Sequence, residues 1–304
     1  ICFAANLGRT CEGLDLCFKD RYRGAFPAGS TSAAPALTSH ASFHKAIAVV
    51  DGLANAALDI VHRDLKKRIP SKASGSHNRK FAVCCHLGNA PVPSIAVTSY
   101  LCIGFMNIPT DLMFAPGGIT YIFHEAGHVF WEQLYLMSSP SVKNYYEAQK
   151  GTLTYYIREI FCDMFTLSAV FRGDNCRMDE IFKKVLESLA LNANDEMSFR
   201  CLVAGIIFAI VTKKTITTKK EESYIDALGE TGKSLFEVFT NLINIWPEYY
   251  EALKSVCSLA NLEGVKDINE SQKGSLLAVQ RHFAKEKSPY SPENFTHLLW
   301  HLLR

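Results

Sequence analysis

The spacing of apolar residues predicts a short β-rich segment inside an otherwise helical chain. From about 42 to 68 apolar residues recur every three or four positions, which predicts a helix that Pro70 ends. Two apolar runs rich in β-branched residues, Phe81–Cys85 and Ile95–Ile103, predict strands. Beyond Phe171 the pattern predicts helices over about 178–192, 196–213, 222–244, 247–260, 272–286 and 292–303. The predicted fold class is therefore predominantly helical α+β, with a small N-terminal sheet before a helical C-terminal region.

The length and the first residues suggest how the chain is organised. Residues 1–40 are rich in Gly, Ala, Ser and Pro without a sustained period, which is typical of an irregular arm. The whole chain has 304 residues, enough for one large domain or two modest ones, each with a proper core. We expect a single domain over 41–304, with the sheet in 41–135 and the mainly helical part in 136–304.

The charge balance narrows the range of partners. Lys and Arg total 32 against 30 Asp and Glu, which is too balanced to predict a nucleic-acid or membrane-surface partner. The longest apolar run, Leu202–Val211, is about ten residues long, whereas a membrane helix needs about 20. We therefore expect a buried core helix there and no membrane span.

The cysteines bear on the compartment. The chain has 10 cysteines, none in a C-x-x-C pair or a regular framework. This usage favours reduced thiols and a reducing compartment such as the cytosol, while secretion or delivery into another cell stays open. The sequence does not predict an oligomeric state.

One helix carries a metal-binding pattern. His124 and His128 lie four residues apart, so both imidazoles project from one helical face and can bind one ion. Glu125 follows the first histidine, which places its carboxylate beside the ion, where it can deprotonate a metal-activated water. This H-E-x-x-H pattern is typical of zinc-dependent peptidases. Catalytic zinc usually takes three protein ligands, so a third is expected elsewhere.

A second helix offers that ligand. Leu153–Phe171 is apolar nearly all the way round, which predicts burial, yet it contains Glu159 and Asp163 four residues apart. Buried carboxylates need a partner. Glu159 could be the third ligand, with Cys162 as the alternative, while Asp163 could accept the outer N–H of a ligating histidine. The competing explanation for Asp163 is an ion pair with a basic residue such as Arg158 or Arg172.

H-E-x-x-H followed by E-x-x-x-D resembles the gluzincin group of zinc metallopeptidases, over about residues 118–171. The resemblance implies a zincin-like metalloprotease domain over 41–304, in which an edge strand pairs with extended substrate. It implies one zinc per chain, bound by His124, His128 and Glu159, with Glu125 as general base and Asp163 in support. Arg158 is a departure, because thermolysin-like enzymes carry asparagine before the ligand glutamate.

Three further residues are candidate donors to a transition-state oxygen. Tyr155 and Tyr156 lie about one turn before Glu159, and His282 lies in a later predicted helix. Each also has a structural explanation. The two tyrosines could be core aromatics whose hydroxyls are hydrogen-bonded, and His282 could be a half-buried structural histidine.

The function predicted is a zinc-dependent endopeptidase that hydrolyses peptide bonds in protein or peptide substrates. The alternative is a catalytically inactive zincin-like interaction domain that keeps the motif as structure. Glu125 argues against the alternative, because a purely structural metal site has no use for a carboxylate beside the ion.

Overall fold

The computed structural model describes residues 40–69, 80–88, 94–98, 102–109, 118–149, 151–170, 196–212, 226, 228–265 and 269–285. The elements are α1 (His40–Arg68), β1 (Ala82–Gly88), β2 (Ser94–Thr98), β3 (Ile103–Pro109), α2 (Gly118–Met137), α3 (Pro140–Ala148), α4 (Thr152–Val170), α5 (Glu196–Thr212), α6 (Gly229–Ile245), α7 (Pro247–Cys257), a 3-10 segment (Ser258–Gly264) and α8 (Glu270–Lys285). The predicted helical α+β class is confirmed. The predicted arm and the helices at 178–192 and 292–303 lie outside the described residues.

The chain divides into two compact units. The first comprises residues 1–59, 79–132 and 267–304 and contains the sheet, most of α1, α2 as far as Glu132, and α8. The second comprises residues 60–78 and 133–266 and contains α3 to α7. The single domain expected over 41–304 stays a prediction.

The sheet of the first unit has three strands in the order β1-β3-β2, with β3 parallel to β1 and antiparallel to β2. The prediction of one strand over Ile95–Ile103 was wrong, because β2 ends at Thr98 and β3 begins at Ile103. Cys102 has a φ of 56°, in the left-handed region that most residues avoid. That backbone lies directly before β3, which runs back antiparallel to β2.

A glycine lets this sheet approach the histidine helix closely. A Cβ atom at Gly104 in β3 would lie 2.5 Å from Val129 Cγ2 on α2 and 2.8 Å from Ile95 Cδ1 on β2. Real Cβ atoms do not approach neighbours so closely, so any larger residue would push the sheet and helix apart. Val129 follows His128 directly, so this contact also sets the position of the metal motif beneath the sheet.

Side chains of α1 occupy the outer edge of β1. The Asn55 amide mimics a neighbouring strand, since Val83 N–H donates to Asn55 Oδ1 at 2.9 Å and Asn55 Nδ2 donates to Val83 O at 2.9 Å. One pleat further along, Cys85 N–H donates to Asp51 Oδ1 at 2.6 Å. Backbone groups that would otherwise be open to strand pairing are thereby satisfied. The described edge left for pairing is β2.

Asn55→Ala is expected to lower the free energy of unfolding by about 1–3 kcal/mol, because it leaves the Val83 N–H and C=O without these partners. Urea denaturation followed by circular dichroism measures the change. Asn241→Ala, at an exposed position of α6, is the matched control and should stay within about 0.5 kcal/mol of the parent. Equal stabilities for the two variants would mean that the Asn55 bridge contributes nothing.

The second unit is built round the helix that carries Glu159. Apolar residues of α4 are fully buried, and Phe161 lies 5.8 Å from the Tyr249 ring of α7. Tyr249 also stacks on Trp246 at 5.3 Å and contacts Phe239 at 5.6 Å. Aromatic packing of this kind adds to simple area burial. It anchors α4 on α6 and α7, so the carboxylates of α4 project from a rigid element.

Candidate metal centre

The two histidines lie on the face of α2 that is partly exposed to solvent. Between 121 and 132 every residue is buried except Tyr121, His124, His128 and Glu132, which recur at intervals of three, four and four. That spacing traces a single line along one face of a helix. The apolar residues round the rest of the helix are Ile122, Phe123, Ala126, Val129, Phe130 and Trp131. Core packing therefore orients α2 so that both imidazoles reach the surface.

The two imidazoles are close enough to share an ion. Their ring centroids lie 5.0 Å apart, with the ring planes at 85° to each other. A ring nitrogen of His124 and one of His128 lie within 4.8 Å. Two nitrogens bound to one tetrahedral zinc at ~2.0–2.1 Å would be about 3.3 Å apart.

Glu125 differs from its histidine neighbour in burial. It is 6% exposed, whereas His124 is partly exposed. One residue along a helix turns the side chain by about 100°, so the carboxylate does not share the direction of the imidazoles. This is the arrangement expected of a group that acts on a metal-bound ligand without being a ligand itself.

Glu159 and Asp163 lie in the second unit, where Arg200 of α5 contacts both. Arg200 binds Asp163 with two hydrogen bonds, from Nε to Oδ2 at 2.9 Å and from Nη2 to Oδ1 at 3.0 Å. The same Nη2 lies 3.2 Å from Glu159 Oε2. All three side chains are nearly buried, with 8% of the Arg200 and Glu159 side chains and 12% of the Asp163 side chain exposed. One guanidinium thus contacts both buried carboxylates.

The strength of this ion-pair cluster shows in the pKa of Arg200. Burial alone lowers that pKa, but the hydrogen bonds and charge of Asp163, with the charge of Glu159, raise it above its usual value. Arg200 therefore stays charged at every accessible pH. The two buried carboxylates of α4 have a partner that sequence reasoning did not identify. Burial of Glu159 and Asp163 alone consequently no longer requires a metal.

Two further residues complete the cluster at its outer side. Arg158 Nη2 lies 3.3 Å from Glu159 Oε1, and its side chain is 47% exposed. The Tyr155 hydroxyl donates to Glu196 Oε1 at 3.1 Å and lies 3.5 Å from Arg200 Nη1. Burial, followed by the nearby charge of Glu159, raises the pKa of Tyr155, so the phenol remains a proton donor at neutral pH.

The remaining candidate donors have different surroundings. The Tyr156 ring packs on Phe199 at 5.2 Å and on Tyr155 at 5.7 Å, which agrees with its structural explanation. Tyr155 is 40% exposed and borders an open depression of about 430 Å³ in the second unit, together with Arg158 and Thr154. His282 lies on α8, but its side chain is outside the described residues. The proposed donor roles of all three residues stay predictions.

Cysteines and membrane helices can be judged only for the described part of the chain. No disulfide joins any two of its six cysteines, Cys84, Cys85, Cys102, Cys162, Cys201 and Cys257. The reducing compartment stays a prediction. Among the described helices, none combines the length and apolar character that crossing a membrane requires.

No family model, curated protein or solved structure matches this chain. The gluzincin resemblance therefore stays limited to the residues that carry it, and the chemistry of those residues is the basis of the functional proposal.

Proposed function

We propose that this chain is a zinc-dependent endopeptidase. The observation that supports the proposal best is the pair of partly exposed histidines on α2, His124 and His128, with the buried Glu125 directly after the first of them in the chain. Core packing alone does not account for a buried carboxylate directly after the first of two histidines that share one face of a helix.

The donors present suit zinc. His124 and His128 would supply two nitrogen ligands, and α4 would supply the third, for which Glu159 is the prediction and the buried thiol of Cys162 the alternative. When bound, zinc would act as a Lewis acid and lower the pKa of a water molecule to about 7. Glu125 would take a proton from water and deliver it to the leaving amine of the peptide.

The sheet suggests how a substrate would be held. β2 is an edge strand of the first unit, and the sheet packs on α2 through Gly104 and Val129. An extended peptide can add to such an edge by main-chain hydrogen bonds, without any requirement for particular side chains. A protein or peptide substrate is therefore the class we propose. The balanced charge of the chain, formally +2, does not favour nucleic acid.

One observation favours the second candidate, a catalytically inactive zincin-like interaction domain. The ion pairs with Arg200 satisfy Glu159 and Asp163 without any metal, so α4 can be stable as pure structure. The two candidates predict different behaviour of Glu125, because only the peptidase needs it as a base.

Metal analysis of the purified protein tests the proposal. We expect about one zinc per chain after dialysis, and loss of that zinc in His128→Ala, because two ligands rarely retain zinc. Glu159→Gln should also empty the site, whereas Cys162→Ser should keep it. The reverse result for the last two variants would make Cys162 the ligand. Full zinc content in His128→Ala would refute the metal centre itself.

A further inference from the structure

The open depression of the second unit lies where α3 ends and α4 begins. Its volume is about 430 Å³, and its lining includes Glu147 of α3 and Arg158 of α4. Ligand sites in proteins span roughly 300–1,000 Å³, so a small molecule fits. The lining includes none of the proposed metal ligands, so binding there would not depend on zinc.

Hydrogen bonds hold the walls of this depression in place. The Tyr146 hydroxyl donates to the Thr154 carbonyl oxygen at 2.9 Å, which ties the end of α3 to the first turn of α4. The Tyr146 ring also packs on the Tyr135 ring at 5.5 Å. On the α4 side, the Tyr155 hydroxyl donates to Glu196 Oε1 at 3.1 Å. A ligand would therefore meet preformed walls, and its binding would require little ordering of the protein.

Glu147 and Arg158 bring opposite charges to this lining, and each is oriented by a neighbour. The Tyr135 hydroxyl donates to Glu147 Oε1, and Arg158 Nη2 lies 3.3 Å from Glu159 Oε1. A carboxylate offers about four acceptor positions and a guanidinium offers five N–H donors, so both groups keep capacity for a ligand. Arg158 can therefore bind an anion and keep its contact with Glu159.

The two opposite charges are not paired with each other. In the part of the chain that the structure describes, no ion pair joins Glu147 to Arg158. A molecule with an ammonium group and a carboxylate could lie between them, with the ammonium on Glu147 and the carboxylate on Arg158. Tyr146 and Tyr155, in the same lining, offer ring surface that suits an aromatic side chain.

We propose that this depression binds a small zwitterion, a free amino acid or a short peptide, through Glu147 and Arg158. The inference adds a second ligand site to the chain and goes beyond the proposed peptidase function. Because the depression is open and water competes for both charges, we expect a Kd on the order of 1 mM.

Ligand-observed NMR titration of the full chain with L-phenylalanine tests the proposal. Phenylalaninamide, which lacks the carboxylate, and N-acetylphenylalanine, which lacks the ammonium group, should each bind about 3- to 10-fold more weakly, the effect of one partly exposed charged contact. The dipeptide phenylalanylglycine carries its two charges further apart, so the tighter of the two zwitterions shows whether the site takes a free amino acid or a peptide.

Two substitutions assign the charges. Arg158→Gln should weaken L-phenylalanine binding about 3- to 10-fold and leave phenylalaninamide unchanged. Glu147→Gln should weaken it to a similar extent and leave N-acetylphenylalanine unchanged, since glutamine can still accept from the Tyr135 hydroxyl. Arg281→Gln and Glu237→Gln, at exposed positions of α8 and α6, are matched controls and should bind as the parent does.

Equal binding of L-phenylalanine and its two blocked relatives would refute the site, because the charges would then contribute nothing. Absence of saturable binding for both zwitterions would refute it as well. His128→Ala should bind L-phenylalanine as the parent does, whether or not it loses zinc. The zwitterion site and the proposed metal centre can therefore fail independently.

Discussion

Glu125→Gln is expected to lower peptide cleavage by about 10²–10⁴-fold, the usual contribution of a general base. The substitution keeps the size of the side chain but removes its ability to take a proton. Zinc content and melting temperature should match those of the parent, because Glu125 is not expected to coordinate the ion. Cleavage of a denatured protein substrate, with zinc analysis and thermal melting on the same samples, measures all three quantities.

Glu237→Gln, at an exposed position of α6, is the matched control and should retain full activity. Undiminished cleavage by Glu125→Gln would rule out the base role. The inactive interaction domain would be favoured if the parent protein bound zinc through His128 but cleaved no substrate. Glu125→Gln would then change nothing measurable.

Arg200→Met is expected to lower the free energy of unfolding of the metal-free protein by about 3–5 kcal/mol, because it leaves Asp163 buried without its bidentate partner. Methionine fills similar space but carries no charge. Urea denaturation followed by circular dichroism measures the loss. Arg158→Met removes the half-exposed arginine of the same cluster and should cost no more than about 1 kcal/mol.

A double-mutant cycle tests whether Arg200 acts through Asp163. The variant that carries both Arg200→Met and Asp163→Leu should be more stable than the sum of the two single losses predicts, with a coupling of about 0.5–3 kcal/mol. Additive losses would mean that the ion pair does not stabilise the fold. If Asp163→Asn lowered the melting temperature only in the zinc-loaded form, Asp163 would belong to the metal centre, as the sequence predicts.

Helices were predictable where strong local signals mark their ends. The ranges 196–213 and 272–286 differ by at most two residues at either end from Glu196–Thr212 and Glu270–Lys285, and Pro247 was placed correctly as the first residue of α7. The start predicted at 222 lies outside the described residues; Asp226 is helical, a turn follows at Leu228, and α6 begins at Gly229, whose φ is +64°. Glycine tolerates that backbone, but no sequence pattern reveals that it is used.

Strand pairing was less accessible from the sequence. The apolar run from Ile95 to Ile103 reads as one strand by composition, whereas the structure ends β2 at Thr98 and turns at Cys102. A cysteine is not a turn signal, so composition alone hides the break. α3, Pro140–Ala148, was also not predicted, since its apolar periodicity is short and weak.

The candidate site shows the same division between local and long-range information. His124, Glu125 and His128 could be identified from the sequence, because helix geometry fixes the directions of side chains at a given spacing. The partner of Glu159 and Asp163 could not be identified, because Arg200 is 37 residues beyond Asp163 in the chain. A signal did exist, since a single arginine in the apolar helix 196–213 needs a buried anion as much as the carboxylates of α4 need a cation.

The occupied edge of β1 has a consequence for self-association. Two copies that joined through β2 would share one continuous sheet round a two-fold axis. Both outer edges of that shared sheet would then be β1 strands, whose outward backbone groups already bind the side chains of Asn55 and Asp51. A third copy that added at β1 would have to displace these side chains from Val83 and Cys85, so strand addition would be hindered beyond a dimer. The helix beside β1 thus works against growth of the sheet at that edge.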